Sequence, residues 1–519
     1  MLSTLLSFAL TGTRRRFQAM KRDQPAAQAG ALRHLVRVGR GTRFGREHGL
    51  DGVRDYGDFR RRVPLRRYEH FQPYLDLIRA GGPDVLAAGR PRYWGRTGGT
   101  TGKDKLLPIY PSAIAQSRRT FNLALALHLA RHPELGLWGK KLLFLGSCAP
   151  LGMEAGLPSG FMSSIMVNEF SPLVRRMVLP GKRVDHLPGW SEKVAAILRM
   201  TRGEDVVIAA GMPPWLCAFF RYAQEQTGRP VREIWPNLSL VLHSGVSVDG
   251  YRAALEQLLG GGVPGPLPSL RNAFGATEGN FAIQERDEDR DLLLVADDVF
   301  YELVPLDDYL AGRGQEARRP IWEARVGEEY ALVLTTPGGL WGYVIGDTVR
   351  FTSVHPYRFV ISGRTAQFLN TAGEKVSVEQ AVSAVASACA RVGAAVEEHT
   401  LFPLGASPAA GRHLPGHEWV VEFSRRPPSL RAFLEAVDQA MCDQNPLYRV
   451  RRSSRFGDTA LLSPPVLRAL RPGTYAAWQS ARGRLGGHFK VPRISSDETL
   501  RQELVKGTSD EPEVLGSPA

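Results

Sequence analysis

Residues 93–110 read YWGRTGGTTGKDKLLPIY, and their centre, Thr97–Lys105, packs three glycines, three threonines and two lysines into nine residues. Glycine lets successive backbone N–H groups turn toward a common point, in conformations other residues resist. Such runs of N–H groups make anion-binding concavities. The threonine hydroxyls add donors, and Lys103 and Lys105 add charge. A charge-assisted hydrogen bond contributes roughly 1.5–3 kcal/mol, so several converging donors are enough to hold a triphosphate. The flanks Arg92–Gly95 and Leu106–Tyr110 read as strands, so the loop joins two strands. It is not the G-x-x-x-x-G-K-[ST] loop, which runs from strand to helix; here Lys103 is followed by Asp104. Taken alone, the stretch also reads as an ordinary hairpin loop.

The chain around it has 519 residues, 43% hydrophobic and 23% charged. It is long enough for large cores and two or more domains, in a globular composition. A net charge of +14 admits anionic partners, but the basic residues are scattered, with no long block and no aromatic–basic stripe. That argues against nucleic acid and suits small anions. Cys148, Cys217, Cys389 and Cys442 form no C-x-x-C pair, which points to a reducing, cytoplasmic setting and no zinc site. Met1–Leu10 is apolar, but Arg14–Arg16 follow it; a secretory signal has the opposite order. The start therefore reads as a short amphipathic helix. No apolar run reaches about 18 residues, so no membrane span is expected.

In order, Ala27–Val38, Asp55–Arg62, Tyr68–Ile78 and Ser112–Arg131 read as helices. Lys141–Leu145, Val206–Ala210 and Ser239–Leu242 are short apolar runs expected to be buried strands, with helices Ser191–Met200 and Tyr251–Leu259 among them. The alternation predicts α/β layering. One G-x-G-x-x-G, at Gly260, Gly262 and Gly265, follows a helix rather than a strand and reads as a helix-ending loop. From Glu329 the texture is of strands: Tyr330–Thr335, Gly342–Ile345, Thr348–Thr352 and Tyr357–Ile361, with a turn at Gly346-Asp347. A smaller mixed unit follows: helix Val376–Ala390, strand His417–Phe423, helix Leu430–Met441. The expected fold is a large N-terminal α/β domain with a β-rich subdomain over 1–365, a small mobile α+β domain over 366–505, and a disordered polar tail over 506–519.

Three further clusters carry chemistry. Asn272–Ile283 reads NAFGATEGNFAI: Phe274 offers a flat ring to a purine, Thr277 a hydroxyl, and Glu278 a carboxylate suited to a phosphate and its Mg²⁺. Gly339–Phe351 reads GLWGYVIGDTVRF, with Asp347 in the expected turn, placed to accept both hydroxyls of a ribose. Gly363–Glu379 reads GRTAQFLNTAGEKVSVE at the domain joint.

Together, T-G-G-T-T-G-x-x-K, F-G-A-T-E, G-D and G-R-x(9)-G resemble the adenylate-forming superfamily of acyl ligases and luciferase. More closely, the chain resembles the GH3 family of acyl-acid amido synthetases. The same likeness extends to Thr42-Arg43-Phe44-Gly45, to Phe59-Arg60-Arg61-Arg62-Val63-Pro64-Leu65 with Tyr68, to Val326–Tyr330 with Thr335–Leu340, and to Asn445, Tyr448 and Phe489–Arg493. It covers nearly the whole chain in family order. The resemblance implies that Thr97, Gly98, Gly99, Thr100, Thr101 and Gly102 hold ATP phosphates, that Phe274 lies by the adenine, and that Gly275 is a further cofactor-binding residue. It further implies that Thr277 and Glu278 serve phosphate and Mg²⁺, with Glu278 the metal ligand, and that Asp347 binds ribose. Phe359 and Lys375 would be further nucleotide contacts, and Lys490, Lys105 and Glu278 the catalytic groups. Phe359 also reads as core, and Lys375 and Lys490 as solvated lysines. The stretch Arg482–Gly487 is glycine-rich and would deliver Lys490 when the domains close.

The chain departs from the family pattern in three places. Gly98 stands where many adenylating enzymes have serine. Gly342 and Val344 replace arginines common in plant members before G-D. Ala366 stands where acyl-CoA ligases often carry a hinge aspartate. The implied activity joins a small carboxylic acid to an amine, usually an amino acid, through an acyl adenylate, using ATP and Mg²⁺. The rival readings are an acyl-CoA ligase and a catalytically silent nucleotide-binding regulator. Phe161–Val167 and Ala209–Phe220 are candidate walls for the acid, or core.

Overall fold

The computed structural model describes residues 2–97, 105–137, 139–147, 150–184, 186–187, 190–245, 248, 251–365, 368–406, 414–453, 461–481, 491–509 and 512–514. Strands are numbered along the chain. The hairpin strands are β1 (Tyr93–Thr97) and β2 (Lys105–Ile109). The next are β3 (Lys141–Phe144), β4 (Gly152–Glu154), β5 (Leu157–Gly160), β6 (Val178–Leu179), β7 (Val206–Gly211) and β8 (Leu240–His243). Then come β9 (Ser269–Ala276), β10 (Gly279–Ile283), β11 (Leu292–Leu294), β12 (Phe300–Pro305), β13 (Arg319–Pro320), β14 (Glu329–Thr335), β15 (Tyr343–Val354) and β16 (Tyr357–Arg364). The C-terminal part adds β17 (Phe368–Leu369), β18 (Val376–Ser377), β19 (Ala395–Leu404), β20 (Gly416–Arg425), β21 (Val466–Leu470) and β22 (Glu513–Val514).

A 12-stranded sheet runs β13-β12-β14-β15-β16-β11-β10-β9-β8-β7-β3-β6. Its β6, β3, β7, β8 and β9 are parallel neighbours. Parallel neighbours need crossovers, commonly helical, and Trp190–Thr201, Pro213–Thr227 and Arg252–Gly260 supply helices between them. Covered on both faces, such strands are apolar throughout: β7 reads VVIAAG and its first five residues are buried. From β10 on, the sheet is antiparallel and packs Phe281, Tyr301, Tyr330, Phe351 and Phe359 into one core. Phe17 and Met20, from a 21-residue helix Leu2–Arg22, join that core. None of the described helices is long and apolar enough to cross a membrane.

After Arg364 the 12-stranded sheet ends, and a four-stranded sheet β19-β20-β21-β22 organises a second set of cores. Its first helix, Val378–Val392, is set by a capping box between Ser377 and Gln380 and stopped by Gly393 at φ +69°. Val376 and Ser377, expected in that helix, instead pair with β17. The described residues of the C-terminal tail, 506–509 and 512–514, lie along the second sheet. Leu470 bridges to Thr508, Ser509 N–H donates to Ala469 O at 2.9 Å, and β22 pairs with β21. An open strand edge presents unpaired backbone groups, and the described tail residues satisfy those of β21 despite their polar composition.

Candidate active site

The hairpin opens against the β9–β10 turn. Thr97 pairs with Lys105 across β1 and β2, so the loop 98–104 starts and ends at one place. A Cβ added to Gly95 would lie 2.6 Å from Thr277 Cγ2 and 2.8 Å from Ile109 Cδ1. Glycine is therefore what allows β1 to lie against the turn. Thr277 Oγ1 then donates to Arg96 O at 3.3 Å. Thr277 and Glu278 form the tip of the turn, just past the carboxyl end of β9. Ligands in open α/β sheets bind at such strand ends.

Glu278 is half-buried and accepts a hydrogen bond from Tyr343 Oη at 3.0 Å. Desolvation raises its carboxyl above the ordinary range. Its own backbone N–H, the Tyr343 phenol and Lys105 oppose the rise, and the Asp347 charge adds to it. Lys105, Glu278, Tyr343 and Asp347 therefore act on one another electrostatically. The Lys105 ammonium lies over the Tyr68 ring, 5.3 Å from its centroid.

Asp347 is 7% exposed and lies within one continuous strand, β15, rather than in a turn between two strands. The G-D signal marks a bulge. Ala331 and Val333 of β14 face Thr348 and Val344, so three residues of β15 stand opposite one. Gly346 takes φ +95° there, and its carbonyl accepts from Thr365 N–H at 2.8 Å. Bulges commonly re-aim a side chain beside a functional site. The missing arginines also have a reason at one position: a Cβ on Gly342 would meet Pro64 O at 2.7 Å. That contact belongs to the segment carrying Val63-Pro64-Leu65, which docks on β15 through Arg66 N–H to Gly342 O and Val344 N–H to Arg66 O, both 2.8 Å.

Other expected contacts fall elsewhere. Phe359 has no exposed surface and packs against Phe274 and Phe351, which places it in the core. Its alternation along β16 is that of a strand with one buried face. Phe274 keeps 7% of its surface, tilts against Phe281 and meets Phe359 edge-on. An added Cβ on Gly275 would come within 2.0 Å of Asn280 Oδ1, its partner across β9 and β10, so a glycine fits where a side chain would clash. Ile165, Met166 and Val167, and Leu216 to Phe220, are buried in the cores. Phe161, Met162, Met212 and Trp215 keep exposed surface. Gly98, Gly99, Thr100, Thr101, Gly102 and Lys490 lie outside the described residues.

Lys375 stands on the other side of the joint, in the turn Asn370–Lys375, at φ +48°. Glu374 organises that turn. It is fully buried and accepts from Thr371 N–H at 2.6 Å and Ala372 N–H at 2.5 Å, and its Oε1 is 2.9 Å from His417 Nε2. Desolvation pushes the Glu374 carboxyl up, but His417 and the two N–H donors outweigh it and hold it below the ordinary range. Asn445 Nδ2 donates to Glu374 O at 2.9 Å and Arg451 Nε to Ala372 O at 3.0 Å. The turn meets the large domain through Tyr251 Oη, which donates to Thr371 O at 2.7 Å, and through Arg451 over Trp215, 4.9 Å from its centroid.

Family models match along the chain: the GH3 family N-terminal domain over residues 13–186, its central domain over 292–364 and its C-terminal domain over 379–499. The chain belongs to the GH3 family. Among its relatives, the indole-3-acetic acid-amido synthetase GH3.8 of Oryza sativa subsp. indica is 25% identical over 91% of this chain and 89% of its own length. The jasmonoyl–L-amino acid synthetase JAR4 of Nicotiana attenuata is 21% identical over 65% of this chain and 68% of its own. The solved structure of AtGH3.15 acyl acid amido synthetase in complex with 2,4-DB covers 98% of each chain at TM-score 0.58 and 16% identity. A 2-hydroxyisobutyryl-CoA ligase shares the fold at TM-score 0.50 and 15% identity, over 93% of this chain and 92% of its own. The mixed α/β architecture is thus that of GH3 and adenylate-forming enzymes.

Two partners in this GH3 site escaped the sequence. Tyr343 serves Glu278, and its only signal was an aromatic residue four positions before Asp347. Tyr68, visible as a family sign, turns out to touch Lys105.

Proposed function

We propose that this GH3 chain is an ATP-dependent acyl-acid amido synthetase. A carboxylate attacks the α-phosphorus of ATP and pyrophosphate leaves; the amine of an amino acid then attacks the acyl carbonyl and AMP leaves, giving an amide. The observation that carries this reading is the meeting of Lys105, Thr277, Glu278 and Asp347 where the hairpin loop begins and ends. A cation, a hydroxyl and two carboxylates there match a nucleotide's phosphates, its metal and its ribose.

The donor set fits Mg²⁺. That ion is usually held by one or two carboxylates together with substrate phosphates, and the described residues hold no cluster of three or more potential ligands. Glu278, left above the ordinary carboxylate range, has the capacity to serve it, with Thr277 alongside. When bound, Mg²⁺ would offset charge developing on the phosphates. In this reading Thr97–Gly102 cradle the phosphates, Asp347 takes the ribose hydroxyls, and Lys375 and Lys490 act from the small domain 366–505 when it closes on 1–365. Phe161, 48% exposed and next to Gly160, the partner of Gly95 across β1 and β5, supports an apolar wall for the acid at this end. Unpaired Cys217, Cys389 and Cys442 support a cytoplasmic setting.

The test is a panel of carboxylic acids in ATP–pyrophosphate exchange with radiolabelled pyrophosphate, followed by AMP release with amino acids or with CoA. Acid-dependent exchange and amino-acid-dependent AMP release are expected. Exchange without any acid dependence would reject the reading, and CoA-dependent release would reassign the acceptor.

A further inference from the structure

Tyr68 lies in the short 3-10 helix Tyr68–Phe71, far from the hairpin in sequence, yet it touches the hairpin twice. Its ring lies under the Lys105 ammonium at 5.3 Å, within the ~6 Å over which a ring quadrupole attracts a cation. Its hydroxyl donates to Leu106 O at 3.2 Å and accepts from Leu106 N–H at 3.1 Å. One side chain thus holds both the charge and the backbone immediately after it. Lysine is a compact charge on a flexible stem, so a half-buried lysine at the end of the loop 98–104 needs something to keep its ammonium in place.

The same segment reaches the anionic half of the site. Phe71 is fully buried and meets Tyr343 edge-on at 5.9 Å, and Tyr343 donates to Glu278. Arg66, just before it, bridges to Tyr343 on β15. Residues 66–71 therefore join the element that holds Lys105 to the element that holds Glu278.

We propose that Tyr68 is a positioning residue whose ring and hydroxyl hold Lys105 toward phosphates bound beside Thr277 and Glu278. The inference rests on the reading of Lys105 as a phosphate-facing group, and the experiment separates the two.

Two measurements are made on the full chain. In the first, surface amines are labelled with an acylating reagent and the modification of Lys105 is read by mass spectrometry, without nucleotide. Lys105 in Tyr68→Leu should label several-fold faster than in the wild type, while Tyr68→Phe, which keeps the ring, should stay nearer the wild type. In the second, ATP affinity is titrated in Tyr68→Leu, Lys105→Met and the double variant. Tyr68→Leu should weaken ATP binding about fivefold, the scale of one cation–π contact, and add nothing further when Lys105 is already methionine. Unchanged labelling of Lys105 in Tyr68→Leu overturns the proposal, as does an undiminished Tyr68→Leu effect on ATP in the Lys105→Met background. If Lys105→Met leaves ATP affinity intact, the phosphate role of Lys105 fails and the proposal with it, whereas faster labelling would still show the ring restraining the lysine.

Discussion

Glu278 and Glu374 are both carboxylates drawn out of bulk water, and the protein treats them oppositely. Glu374, in the small-domain turn, is given two backbone N–H donors and His417, and its carboxyl sits below the ordinary range. Glu278, at the β9–β10 turn, receives Tyr343 and its own N–H, shares its surroundings with Asp347, and sits above that range. An acid supplied with its donors by the chain is part of the frame. An acid left short, next to a second carboxylate, is where a bound cation gains most.

The most disruptive way to break this comparison is Glu374→Ala. Removing one partner of a buried, hydrogen-bonded ionic group costs about 3–5 kcal/mol, and urea unfolding should show a loss on that scale. Because the Glu374 carboxyl is depressed when folded, its contribution is present above the ordinary value of 4.5 and disappears as pH falls through its folded value. The deficit of the variant should therefore shrink in acid.

Glu278→Gln should act in the opposite sense on stability. With a raised folded carboxyl, ionised Glu278 costs stability at neutral pH, and the cost is gone once pH drops below 4.5. The glutamine variant should melt higher than the wild type at neutral pH and no higher in acid. Its acid-dependent pyrophosphate exchange should fall by about 10²–10³, the scale for losing one electrostatic catalytic contact. A variant that is less stable at neutral pH would place Glu278 with Glu374 as a structural acid.

Asp347→Ala sharpens the nucleotide end. Hydrogen bonds to a charged group contribute roughly 1.5–3 kcal/mol, so ATP affinity should fall at least about tenfold, measured by titration, with the melting temperature little changed. Unchanged affinity would remove the ribose role. The smallest effect is expected from Tyr343→Phe: loss of the donor to Glu278 should slow exchange only several-fold. It should also move the acid limb of the pH–rate profile upward, since the carboxyl loses a partner that favours its charged form.

Much of this molecule follows from local chemistry. The apolar runs of β3, β7 and β8 bury because their residues exclude water, the glycine–threonine loop lies between two strands because its flanks are strand formers, and the helix of residues 378–392 starts and stops at its own caps. The identities of Lys105, Thr277, Glu278 and Asp347 as candidate groups were legible for the same reason: the residue types carry the chemistry. What they do not carry is surroundings. A G-D pair reads alike as a turn or a bulge, and the register of β14 against β15 makes it a bulge. An alternating phenylalanine reads alike as core or ligand wall, and the rings of Phe274 and Phe351 make Phe359 core. Polar residues such as Glu513 do not by themselves show that they will pair with an open strand edge, and β21 supplies that edge. Whether a carboxylate is satisfied or left short depends on donors such as Tyr343, 65 residues away from Glu278 along the chain. Desolvation and pairing are properties of neighbours in space, and the folded chain alone supplies them.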